Sequence, residues 1–485
     1  PAESSVRRCL AAIERLLVRT GERLNPILVK EARQSLKSRQ FLITFGLLLA
    51  CGWLWSFLGL ALMGPEASYT GKGPEMCMGY LLILAFPLLV IVPFWAFRSL
   101  ASEQEDRTYE LLSITALGPR QIISGKLASA GVQMLIYLSA ISPCLAFTYM
   151  LRGIAFPTIF LLLFYLVIAS FGLSIVGLLT GTITSERHWQ VVLSVILIIG
   201  LLGAFWIAWT IFDNLIWDGD LLVDTPEFWV FHAALVTAYL TYFALAFCAA
   251  VAQITFATDN RSTRLRIVML VQHVCFTGWM AWGLIAMEMH EEFVLVYLSL
   301  IGLHWYAMGS LMIGESPLLS PRVKRNLPQS FLGRVFLTWF HPGPGTGYLF
   351  AVCGGLAALA MVLIVVILVQ GFSRWGMGAW SGGESMRLLV FGGLAVAYLT
   401  IYLGIGLLII RLLHRFGQVA MLLGVLIQIL LVAAGCAVPA VVDTMRSRPL
   451  FDSGYSLLHI SNPFWTLIHV GDSGTLPLEP GAIVT

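Results

Sequence analysis

One stretch of this 485-residue chain decides its fold class, and it reads Val191-Val-Leu-Ser-Val-Ile-Leu-Ile-Ile-Gly-Leu-Leu-Gly-Ala-Phe-Trp-Ile-Ala-Trp-Thr-Ile-Phe212. It contains no charged residue and is long enough to cross a bilayer as a helix, which needs about 20 mostly apolar residues. Ten other stretches meet the same criterion. The predicted spans are 41–63, 77–97, 127–151, 156–183, 191–212, 228–256, 267–288, 293–313, 348–371, 387–413 and 419–442.

The composition supports the same fold class. Apolar residues make up 58% of the chain and charged residues only 11%, against about 25% charged in an average soluble protein. A soluble domain cannot bury that much apolar surface, so a soluble enzyme, a disordered chain and a nucleic-acid binder are all excluded. The sequence predicts an all-α polytopic membrane protein with the lipid bilayer as its solvent.

The distribution of Lys and Arg predicts the orientation of the chain. Most of the 29 basic residues fall before the first span or in segments 98–126, 257–266 and 314–347, which the positive-inside rule places in the cytoplasm together with the N-terminus. The outer segments would hold only six: Lys72, Arg152, Arg374, Arg387, Arg446 and Arg448.

The order of spans and loops suggests two related halves. Residues 1–40 are expected to form cytoplasmic amphipathic helices, and 41–256 a first half of six spans. Residues 257–485 would form a second half with five spans. Both halves have a long inner loop after their second span, so we expect a twelfth span after Thr485.

Motifs for catalysis and cofactor binding are absent from the sequence. It contains no Walker A, HExxH or GxSxG pattern, and its eight cysteines are scattered without metal-ligand spacing. We therefore predict no enzyme activity, no metal and no cofactor for this chain. No Asp or Glu lies in the middle of a predicted span, which argues against an ion-coupled secondary transporter.

The residues before the first span predict a surface helix. Asn25 has the character of an N-cap and Pro26 suits the first helical turn. Lys30 and further bases follow, as in a basic amphipathic helix that lies on the inner membrane surface. The alternative is a solvated cationic stretch that only enforces topology.

The loop 99–126 predicts a cytoplasmic helical hairpin. Ser102 to Glu105 resembles a capping box, and Glu103 could pair with Arg107 four residues later. Gly118-Pro119 would turn the chain into a second helix, Arg120 to Lys126, that leads into the third span. Leu111 and Leu112 would be exposed among charged residues, as in a docking site for another protein.

The same loop resembles the cytosolic signature of ABC-2-type transporter permeases, roughly E-R-x-x-G-T-L-E-x-L-L-x-T-P-L-S-x-x-E-I-x-x-G-K. The matching residues are Glu105, Thr108, Glu110, Leu111, Leu112, Thr115, Leu117, Ile122, Gly125 and Lys126. The departures are Arg107, Tyr109, Ala116, Gly118 and Gln121. The segment Asn25 to Glu31 also resembles the elbow helix before the first span of that family.

The resemblance implies the membrane subunit of an ATP-driven exporter, typically in a bacterial inner membrane, with a separate P-loop ATPase as partner and a second permease copy or homologue as a further one. The implied docking residues are Glu103, Glu105, Arg107, Thr108, Glu110, Leu111, Leu112, Thr115, Leu117, Pro119, Gly125 and Lys126. The implied elbow residues are Asn25, Pro26, Lys30 and Glu31. A non-transporting membrane scaffold in a larger complex is the main alternative.

Overall fold

The computed structural model describes residues 25–63, 71–106, 117–184, 186–217, 225–256, 258–286, 291–316, 319–325, 327–370, 384–416, 421–445, 455 and 457–473. Within these ranges the chain forms helices and turns, without a strand. Eleven of the described helices are long and apolar enough to cross a membrane. The prediction of an all-α, multi-pass membrane protein with eleven such spans is confirmed for this part of the chain.

The chain divides into two compact units, which meet in sequence between Thr255 and Phe256. The helices of the first unit are α1 (Pro26–Leu36), α2 (Arg39–Met63), α3 (Gly73–Glu105), α4 (Pro119–Met150), α5 (Phe156–Gly181), α6 (Arg187–Trp217) and α7 (Pro226–Ile254).

Helix α3 is the centre of the first unit, because most of its apolar window is buried by the other helices. Met76, Leu81 and Leu84 are fully buried in its first half. Its second half lies against α5 at Gly177 and Gly181. A Cβ added to Gly177 would stand 2.5 Å from the carbonyl oxygen of Pro93, and one added to Gly181 would stand 2.9 Å from the carbonyl oxygen of Phe97. The two glycines therefore let the two backbones approach, as small residues do at membrane helix contacts.

Two prolines, Pro87 and Pro93, distort α3 near the middle of the helix. Residues Pro87–Ile91 form one π turn, in which the Val92 N–H donates to the Pro87 carbonyl. Pro93 has no N–H to offer, so the Leu88 carbonyl loses its donor within the helix. The hydroxyl of Ser170 on α5 donates to that carbonyl at 2.5 Å. A hydrogen bond between helices thus replaces the one that proline removed.

The second unit begins with α8 (Thr263–Ala286) and α9 (Glu291–Ile313), followed by the short helices α10 (Pro321–Arg325) and α11 (Phe331–Leu337). The remaining helices are α12 (Pro344–Gln370), α13 (Glu384–Leu413), α14 (Met421–Met445) and α15 (Pro463–Ser473). The 3-10 turn Thr338–Phe340 connects α11 to the loop before α12, and a second one, Leu457–Ser461, precedes α15.

The core of the second unit surrounds Trp305 on α9, which is 1% exposed. Its ring lies 5.5 Å from that of Phe350 on α12, and its indole N–H donates to His273 Nδ1 on α8 at 3.3 Å. Gln428 on α14 joins two other helices, because it accepts from the Tyr306 hydroxyl at 2.6 Å and donates to the Tyr402 carbonyl at 3.1 Å.

The predicted capping box at Ser102 is wrong. The helix of the second span continues without interruption to Glu105, so Ser102 lies inside its last turn, where its carbonyl accepts from the Asp106 N–H. The segment Ala101 to Glu105 consists largely of good helix formers, and nothing in it breaks the helix that arrives from the membrane.

Candidate functional site

The N-terminal helix α1 lies against the start of α4. Asn25 caps α1, as predicted, because its Oδ1 accepts from the Ile27 N–H at 3.1 Å. Its amide nitrogen also donates to the Gln121 carbonyl on α4 at 2.6 Å. A Cβ on Gly125 would stand 2.8 Å from the Ile27 Cβ. Glycine is therefore the residue that allows α1 to approach α4 so closely.

A buried lysine joins three separate segments beside this contact. The side chain of Lys126 on α4 is 1% exposed, and its Nζ lies 3.0 Å from Glu103 Oε1 at the end of α3 and 3.1 Å from Glu31 Oε1 on α1. The same nitrogen donates to the Ser99 carbonyl at 3.0 Å. We call Lys126, Glu31, Glu103 and Ser99 the lysine node.

The charges of the lysine node are largely withdrawn from water. Glu31 and Glu103 are 14% and 13% exposed, so two partly buried carboxylates share one buried cation. Lys30 adds an outer contact at 3.6 Å from Glu103 Oε1 and is itself 58% exposed. A desolvated charge that has several partners fixes the geometry of its surroundings, because every displaced partner leaves an uncompensated charge. The node therefore holds α1, α3 and α4 at one end of the first unit.

Two further contacts connect α6 to the same end of α3. Arg187 Nε lies 3.0 Å from Glu105 Oε1. The buried amide of Gln190 donates to the carbonyls of Ala101 at 3.2 Å and Thr184 at 3.0 Å. The end of α3 is thus connected to three other helices of its unit.

The predicted docking residues divide into three groups. Arg107, Thr108, Glu110, Leu111, Leu112 and Thr115 lie outside the described residues. Pro119 begins α4, and the half-buried Leu117 packs against the apolar cluster at the base of α1, α3 and α4. The third group contacts other segments of the chain itself and consists of Glu103, Glu105, Gly125 and Lys126. Any effect of these residues on a partner passes through the segments they join. Glu103 pairs with Lys126, a contact that a local spacing rule cannot detect, and its predicted pairing with Arg107 lies outside the described residues.

The second unit contains a buried arginine in a similar setting, which the sequence analysis did not single out. Arg266, at the start of α8, is 1% exposed at its side chain and pairs with Glu315 after α9 at 2.8 Å. It also donates to the carbonyls of Trp339 at 2.5 Å and His341 at 2.6 Å, before α12. Glu315 accepts from the Gly343 N–H at 2.7 Å. The sequence signal that could have identified Arg266 was its position directly before an apolar span.

Comparison of this chain with protein-family models, with curated proteins and with solved structures finds no match. Among the described residues, no group of His, Cys, Asp or Glu could hold a metal ion. The charged groups that the structure brings together at helix ends connect helices to each other.

Proposed function

We propose that this chain is the membrane-spanning permease subunit of an ABC-2-type ATP-driven exporter, coupled to separate ATPase subunits through the hairpin 99–126. The lysine node is the observation that carries the proposal. It connects both described limbs of the hairpin, at Glu103 and Lys126, to helix α1. Force applied to the hairpin would therefore move three helix ends together.

Helix α1 provides a route from the hairpin to the first span. Only Lys37 and Ser38 separate α1 from α2, and the Ser38 hydroxyl accepts from the Phe41 N–H at 3.1 Å. A link this short transmits displacement instead of absorbing it. In the proposed cycle, closure of an ATPase dimer pushes the hairpin, and α1 tilts α2 while α3 and α6 follow at Glu105 and Gln190.

The topology required by this proposal places the hairpin in the cytoplasm. We expect cysteines introduced at Arg120 and Lys324 to resist a membrane-impermeant maleimide added to intact cells, whereas a cysteine at Glu227 is labelled. The three side chains are exposed in the structure, so access is limited only by the membrane. Permeabilised cells, in which all three positions must react, are the control, and labelling of Arg120→Cys from outside would contradict the orientation.

Docking itself is tested by replacing both leucines of the hairpin with aspartate. Burial of each leucine at an interface contributes about 1.5–3 kcal/mol, and an unpaired charge there costs more. Every 1.4 kcal/mol is about tenfold in affinity, so the Leu111→Asp/Leu112→Asp chain should lose its ATPase by several powers of ten. The matched control, Leu111→Ile/Leu112→Ile, keeps the apolar surface and should keep the partner.

The measurement is co-purification from native membranes in mild detergent, with vanadate-sensitive ATP hydrolysis and mass spectrometry of the bound chains as readouts. Melting of the permease is recorded in parallel. Loss of the ATPase with unchanged melting supports docking. A falling melting temperature would indicate that the leucines pack against the third span, and a wild-type complex without any P-loop ATPase would favour the membrane scaffold.

A further inference from the structure

The connection between α9 and α12 carries large apolar side chains on its surface. Phe331 is 79% exposed and Leu332 67%, and Leu337 is 52% exposed on the same short helix α11. Exposed apolar groups of this size are rare on water-facing surfaces unless something covers them. We call residues 321–340, which include α10 and α11, the connector surface.

The ends of three spans fix the depth of the connector surface. Helix α9 ends at Ile313 and α12 begins at Pro344, and both are long and apolar enough to cross a membrane, so the connection starts and finishes at the ends of two candidate spans. Arg266 at the start of α8 holds the carbonyls of Trp339 and His341, and the Thr263 hydroxyl donates to the Phe340 carbonyl at 2.6 Å. At the ends of such spans we expect the connector surface to lie at headgroup level, where aromatic side chains such as Trp339 are enriched.

The charge of the connector surface has one sign. Between Glu315 and Glu384 the sequence contains no acidic residue. Four exposed bases lie on or between α10 and α11: Arg322, Lys324, Arg325 and Arg334. Only Arg322 forms an ion pair with the described residues, at 2.6 Å to Asp259.

From this combination we infer that the connector surface inserts into one leaflet and binds anionic phospholipid headgroups. The apolar side chains of α11 would lie at the boundary of the acyl chains, and the bases would contact lipid phosphates. This is how basic amphipathic segments bind membranes. Each base near an anionic surface contributes about fivefold in partitioning. A protein partner would need its own acidic surface at headgroup depth, whereas the leaflet supplies both features.

The occupant can be identified by photo-crosslinking at Phe331. p-Benzoylphenylalanine replaces Phe331 in the full-length chain, because it keeps the aromatic ring, and the protein is reconstituted in vesicles of equal phosphatidylglycerol and phosphatidylcholine. We expect phospholipid adducts by mass spectrometry, with phosphatidylglycerol enriched about fivefold, the contribution of one base. The same variant is irradiated in cells. A polypeptide adduct there, or no lipid adduct in vesicles, overturns the proposal.

A variant without three of the bases distinguishes binding of anionic headgroups from insertion of the apolar side chains alone. In the Lys324→Gln/Arg325→Gln/Arg334→Gln background the enrichment should fall to nearly one. The matched control, Lys324→Arg/Arg325→Lys/Arg334→Lys, retains the charges and should retain the enrichment. Unchanged enrichment in the glutamine background would refute the role of the bases. The proposal goes beyond the coupling function, since its readout is a lipid adduct and needs no ATPase.

Discussion

Replacement of Lys126 by methionine tests the lysine node most directly. The substitution keeps a long apolar stem but removes the charge that lies 3.0 Å from Glu103 and 3.1 Å from Glu31. The two partly buried carboxylates then keep only the exposed Lys30 as a cation, at 3.6 Å from Glu103 Oε1. Removal of one partner from a buried ionic group costs about 3–5 kcal/mol. Because the two glutamates retain some access to water, we expect the lower end, about 3 kcal/mol.

The cost should appear as local opening of α1 and the start of α4. Hydrogen exchange of the purified protein in detergent reports such openings segment by segment. Since 1.4 kcal/mol is about tenfold in an equilibrium constant, the amides of Pro26–Leu36 should exchange about 100-fold faster, while those of the second unit are unaffected. Lys30→Met is the matched control. Lys30 is 58% exposed, and exposed pairs contribute at most about 1 kcal/mol.

A compensating variant distinguishes lost charge balance from lost packing. In Lys126→Met/Glu31→Gln/Glu103→Gln, neutral amides replace both carboxylates, so most of the lost protection of α1 against hydrogen exchange should return. The methionine packs there as it does in the single variant, so packing alone would not restore protection. Equal exchange in the single and the triple variant would refute the electrostatic reasoning. Unchanged protection in the single variant would refute the node altogether.

Three other contacts can each be tested by substitution. Gly125→Val should detach α1 from α4 at a cost of about 1–3 kcal/mol from overpacking, which should appear as faster hydrogen exchange of α1. The control Gly118→Val should be tolerated, because no atom lies within 4 Å of a Cβ added at Gly118. Ser170→Ala leaves a buried carbonyl of α3 without its donor and should cost about 1–3 kcal/mol, measured as a lower melting temperature; an unchanged one would contradict the π-turn argument. Glu315→Gln removes the countercharge of Arg266 and should destabilise the second unit by about 3 kcal/mol, and no change in exchange of the segment before α12 would disprove this.

The spans themselves were predictable because their signal is local. A helix in hydrocarbon satisfies its own backbone hydrogen bonds, so about 20 consecutive apolar residues are sufficient evidence for it, whatever the rest of the chain does. The same holds for Asn25, whose capping role depends only on the next two residues.

The partners of the buried charges were decided by the tertiary structure alone. Lys126 lies 95 residues after Glu31 in the chain, and nothing in the local sequence indicates that the two meet. The capping pattern at Ser102 failed for a related reason, because a helix already stabilised within the membrane continues through a possible start signal. Arg266 was counted with the basic residues of a loop, yet the helix begins before it and buries it. The apolar length that makes a spanning helix stable is a property of one segment. The energy of a desolvated charge depends instead on which distant segments supply its partners, and only the folded chain determines which segments meet.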